Sequence, residues 1–169
     1  MAFYGYVNTM RCAATDIDAF TATGINTSTD IQNGYFVTLG DYQLSSGAVV
    51  EFVYNVTLAA AATLDNWLVR TPEVGTDILT QMLADPRYFI NAQGQPMQLI
   101  KIIKGDIIEV TVETLDQAAA KGDYYTLVAG KLTKGSTTDS ATCFLCLGTH
   151  TINFGGNDVT TYLFRCTAN

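Results

Sequence analysis

The chain has 169 residues, a net charge of −7 at pH 7, 48% apolar and 15% charged residues, one histidine and one tryptophan. A chain of this length buries roughly 70% of its unfolded surface, so it folds without a disulfide or metal staple. The acidic balance excludes a surface built to grip nucleic-acid phosphates, and no stretch reaches the run of about 18 apolar residues that a membrane span needs.

The N-terminus lacks the basic start and apolar core of a secretory signal, so synthesis in the cytoplasm is expected, with neither nucleic acid nor membrane as partner. Residues 1–12 carry Phe3, Tyr4 and Tyr6 ahead of any obvious strand partner. They read as an edge strand of the core, or as an aromatic arm that adds itself to a neighbouring subunit. These three residues are the expected protein interface. Residues 16–32 and 66–75 read as loops. Residues 34–40 form an aromatic and β-branched run bounded by glycines, and residues 49–57 alternate as a long strand. Thr76 and Asp77 cap an expected helix over 76–83, which stops before Asp85-Pro86. Residues 97–103 and 107–113 read as two strands joined in a hairpin by Lys104-Gly105-Asp106. A short helix over 115–121 ends at Gly122. A strand over 124–129, a turn over 130–135, and strands over 142–147 and 159–165 complete the chain, with Gly155-Gly156-Asn157-Asp158 as the last loop.

The expected fold is mainly β: a small β-barrel or sandwich with one or two short helices and long irregular loops. It forms a single β-rich domain over 1–169, densest in strands and turns over 97–169.

No catalytic or cofactor-binding residue and no cofactor is expected. Cys143-Phe144-Leu145-Cys146 has the spacing of a metal knuckle or redox pair. It sits inside a strand run rather than a turn or helix start, so its thiols read as small buried hydrophobes. The one metal set the residue types allow is Cys143, Cys146, Cys166 and His150. His150 lies in a Thr-rich segment with no Ser or Cys nucleophile signature, which argues against a catalytic triad. Glu109 and Glu113 share a strand face with Thr111 and read as the solvated side of a sheet. Charged residues fall well below the usual share of about 25%. With Thr and Tyr in their place, the surface suits contact with other proteins.

From Pro72 to Ala129 the order of features is familiar. It runs through Thr71-Pro72-Glu73-Val74, residues 88–95 (Tyr-Phe-Ile-Asn-Ala-Gln-Gly-Gln), residues 103–111 around Lys104-Gly105-Asp106, and Lys121-Gly122-Asp123-Tyr124-Tyr125. With the turn Gly130-Lys131-Leu132, this resembles the head-decorating, or capsid cement, proteins of tailed bacteriophages. The resemblance implies a non-enzymatic virion structural protein, made in the host bacterial cytoplasm and located on the capsid. Its partner would be the major capsid protein, with self-association. It carries over no functional residue. Two alternatives stay open: a tail or head-fibre component, and a carbohydrate-binding or glycan-cleaving β domain. A decoration protein calls for an apolar arm or rim. A glycan binder calls for Trp67 and several tyrosines gathered on one open surface, with carboxylates between them. A glycan-cleaving enzyme calls for two carboxylates in one cleft.

Overall fold

Short alternating runs of Val, Ile, Leu, Thr and aromatics give eleven strands among the described residues. The computed structural model describes residues 3–60, 64–73, 85–135 and 141–169; the helix expected over 76–83 lies outside them. Five strands close a barrel: β2 (Thr21–Ile25), β3 (Phe36–Ser45), β4 (Ala48–Leu58), β5 (Trp67–Val69) and β6 (Pro96–Lys101), in the order β2-β4-β3-β5-β6. The β2–β4 pair is parallel and the other barrel pairs are antiparallel.

The remaining six strands form an antiparallel sheet. They are β1 (Val7–Arg11), β7 (Ile107–Thr111), β8 (Tyr124–Val128), β9 (Lys131–Gly135), β10 (Cys143–Phe154) and β11 (Asn157–Ala168), ordered β1-β7-β11-β10-β8-β9. The fold is thus mainly β with a small barrel, as expected. Helical structure among the described residues is confined to single 3₁₀ turns, one of them at Pro86–Tyr88.

Period-two burial sorts the side chains into two cores. Val37, Val56, Trp67, Met97 and Leu99 pack with Ile31 in one cluster. A second, larger cluster joins the barrel to the sheet: Phe36, Leu68, Ile100 and Ile102 meet Ile108, Val110, Tyr125, Leu127, Phe144 and Phe164. The Phe36 and Phe144 rings lie 5.2 Å apart across this seam.

Four expectations are corrected. Lys104-Gly105-Asp106 does not close a hairpin, because β6 stays in the barrel while β7 enters the sheet. The Asp106 carboxylate holds this crossing by accepting from Ile103 N at 2.9 Å and Ala13 N at 3.0 Å. Residues 115–121 are not helical. Buried Leu115 bridges Leu132 in parallel, and the Asp116 carboxylate accepts from Lys134 N, so both residues are committed to the β9 edge. The segments 16–32 and 66–75, expected as loops, contribute β2 and β5. Each is secured by distant pairing, β2 to β4 and β6, and β5 to β3 and β6. Residues 131–135, expected as a turn, are strand β9; the turn itself is Ala129-Gly130, both with positive φ.

Gly130 sits at the seam. Phe36 N donates to Gly130 O (2.8 Å), Gly130 N to Ala59 O (3.0 Å), and Ala59 N to Phe36 O (2.9 Å). A Cβ on Gly130 would meet Phe36 O and Leu58 Cδ2 at 2.8 Å, at a φ of +79°. Left-handed backbone costs an L-residue about 1–2 kcal/mol, and the clash adds to it. Gly130→Ala is expected to lower stability by about 2–3 kcal/mol, or roughly 5–10 °C in Tm. Thermal unfolding of the variant measures this; an unchanged Tm would show that the seam yields freely.

Candidate functional site

The β3–β4 pair is longer than the barrel it belongs to. β3 meets β5 only at Phe36 and Val37, and β4 meets β2 only at Val53–Asn55. From Tyr42 to Val49 the two strands pair solely with each other, as a two-stranded ribbon turning at Ser46-Gly47. Its register is broken: Tyr42 faces Tyr54, but Leu44 faces Val49, so β4 carries extra residues in a bulge. Phe52 lies in that bulge with a φ of +53° and is 76% exposed. A bulky residue in the left-handed region is strained, and such strain concentrates where a surface is used.

An aromatic group gathers at the ribbon's root. The Tyr42 and Tyr54 rings lie 4.3 Å apart with their hydroxyls hydrogen-bonded at 2.8 Å, and Phe52 meets Tyr42 edge-on at 6.1 Å. The hydrogen bond with Tyr42, then burial, raises the Tyr54 phenol above its ordinary value, so it is neutral at physiological pH. Together with Trp67 these three rings line a cleft of about 540 Å³ against β2 and β6. Thr21, Thr23 and Gln98 supply its polar atoms, and none of the described lining residues carries a charge. Among the described residues the buried Trp67 Nε1–H has no hydrogen-bond partner, a state that costs about 1–3 kcal/mol.

The cleft therefore collects the tryptophan and two tyrosines expected of a glycan binder, without carboxylates among its described lining residues. Trp67 stays in the barrel core at the floor of the cleft, whereas the bulge brings Phe52 to the surface, and residues 48–58 do not show that bulge as a pattern.

The polar residues of the sheet are arranged differently. The Glu109 carboxylate accepts from Thr161 Oγ1 (2.6 Å), His150 Nδ1 (2.8 Å) and Asn8 Nδ2 (3.2 Å), tying β7 to β11, β10 and β1. The groove beside it, about 500 Å³, is also lined by Arg11 and Thr149. Glu113 opens into a separate groove beside Phe3 and Arg87, so the two glutamates do not form an acid–base pair in one cleft.

His150 is held at Glu109, exposed, while Cys143, Cys146 and Cys166 are buried; the candidate metal set is not brought together. No group of three or more His, Cys, Asp or Glu side chains suited to a metal occurs among the described residues. All four thiols are free and buried. Cys12 donates to Ile107 O and Cys166 to Ala168 O, each at 3.4 Å.

Phe3, Tyr4 and Tyr6 pack on their own domain. The Arg87 guanidinium, paired with Asp85 through two hydrogen bonds, lies 4.1 Å from the Phe3 ring centre, and Tyr4 N donates to Arg87 O at 2.7 Å. Tyr6 meets Phe154 edge-on at 4.8 Å, and its main chain joins Thr111. Gly5 is pressed against Asn33, where a Cβ would sit 2.3 Å from the carbonyl oxygen. The segment thus leads into edge strand β1, and these contacts fasten it in place. Phe3 stays 45% exposed.

Compared with known proteins, the chain matches no family model, no curated protein and no solved structure.

Two expected outcomes follow from these environments. Phe52→Gly and Phe52→Ala remove the same ring, but only glycine relaxes the +53° φ. The glycine variant should be the more stable by about 1 kcal/mol, reversing the usual order in strands. Paired urea denaturation measures the difference, and an alanine variant of equal or greater stability counts against strain. Burial, followed by nearby carboxylates, pushes Cys12, Cys166 and Tyr125 up to about 12. The unfolded chain loses these protons at lower pH than the folded one. The contribution is complete below pH 9 and declines as pH rises from 9 towards 12. Denaturation midpoints should fall across that window; a flat profile contradicts the assignment.

Proposed function

We propose that this chain is a virion structural protein that decorates the head of a tailed bacteriophage, docking on the lattice of the major capsid protein. The observation that carries this reading is the β3–β4 ribbon. Leu44 and Val49 face each other near its turn, 59% and 49% exposed, with Phe52 farther along. A protruding element with exposed apolar residues on a charge-poor chain is suited to a partner surface. The cement role of the resembling proteins supplies the partner, and the low charge fits contact with protein rather than nucleic acid.

The physics of such a role is mass action. A subunit that binds only the assembled lattice stabilises it, and repetition over many sites, with self-association, multiplies weak single contacts.

The test is co-sedimentation of the purified protein with empty phage heads. Saturable binding is expected at a fixed ratio to the shell protein, little changed by high salt because the contact is apolar. The double variant Leu44→Ser/Val49→Ser should weaken it by about tenfold or more. Absence of saturable binding overturns the reading, and full binding by the double variant removes the ribbon from it.

A further inference from the structure

We propose that the cleft at the root of the β3–β4 ribbon is a binding site for a neutral carbohydrate chain, separate from the lattice contact made by the ribbon's tip. Sugar recognition combines an aromatic ring against the C–H face of a pyranose with groups that both give and accept hydrogen bonds. The cleft holds both. Phe52 is 76% exposed beside the Tyr42–Tyr54 pair. The Thr23 hydroxyl and the Gln98 amide can both give and accept hydrogen bonds, as sugar hydroxyls do; Thr21 Oγ1 donates to Asp18 O and the Tyr42 and Tyr54 hydroxyls share one bond, which leaves lone pairs on these oxygens and one phenol proton for a ligand.

The charge pattern narrows the ligand class. No described residue lining the cleft is acidic or basic, and the nearby Lys101, 5.8 Å from the Trp67 ring, is paired with Asp65, so the described lining offers no free charge for a phosphate, sulfate or uronate. The volume of about 540 Å³ and the open form suit one stretch of a longer chain, entering from the side. One further observation points to an occupant. The Phe52 backbone is held in a conformation that other residues would occupy more easily, and the result is an exposed ring in the lining.

Trp67 is the sole tryptophan and lines this cleft, so its fluorescence is a probe of the site. The test titrates the purified full chain with maltohexaose, cellohexaose, laminarihexaose and chitohexaose, with dextran sulfate as an anionic comparison. A saturable fluorescence change with at least one neutral hexasaccharide is expected, together with a weaker response to dextran sulfate. Phe52→Ala, at an exposed position, should weaken binding by about tenfold or more. Leu44→Ser/Val49→Ser should leave it unchanged. The proposal is overturned if none of the four sugars gives a saturable change, if dextran sulfate binds best, or if Phe52→Ala binds as the parent does. Head binding is read by sedimentation and sugar binding by fluorescence, so either can fail without the other.

Discussion

Phe36, Ala59 and Gly130 close a ring of main-chain hydrogen bonds where the barrel meets the sheet, and the Phe36 ring packs against Phe144 beneath it. The outward apolar residues of the barrel, Leu68 and Ile100, and Ile102 just past β6, are buried in the cluster they share with the sheet. The sheet in turn buries Ile108, Tyr125 and Phe164 against the same cluster. Layered folds are stable when each apolar face finds a partner layer, and here each layer is the other's partner. The Lys104–Asp106 crossing works for the same end, carrying the chain from one layer to the other with Ile102 fully buried just before it.

That mutual cover sets where the molecule has surface to offer. Both ends of the open sheet are managed, as edge strands must be to avoid unwanted pairing. β1 is interrupted by a register shift after Asn8, and β9 is bordered by Leu115 and Asp116. Glu109 occupies the donors around it, and Arg87 clasps the N-terminal segment. The barrel has closed its own edges. The overhanging half of β3 and β4 is different: its strands pair only with each other, and Leu44, Val49 and Phe52 face solvent. Tip and root then divide the work, aliphatic residues at one end and an aromatic, uncharged cleft at the other.

Much of this architecture was legible in the residues. Alternation in 49–57, the runs at 107–113 and 124–129, and the glycine punctuation of the last two strands mark true strands, and the β class with a barrel follows from their number and spacing. What escaped reading was non-local. Thr21–Ile25 is a strand because it lies between β4 and β6, each many residues distant. Residues 115–121 look helical by composition, yet Leu115 gains more from burial beside Leu132 than a one-turn helix returns. Lys104-Gly105-Asp106 has turn chemistry and does turn, but the choice between hairpin and crossing lies in its partners Ala13 and Cys166. The candidate site was hidden for a related reason. Aromatics in an alternating strand normally mean core, and only a bulge in β4 makes Phe52 an exception.

The cysteines bear also on chemical durability. None is cross-linked and all four are buried, and Cys12 and Cys166, raised so far above neutrality, carry almost no thiolate, the form that reacts with oxidants and disulfides. The fold therefore holds without a disulfide, and its thiols are withheld from disulfide exchange whether the surroundings are reducing or oxidising.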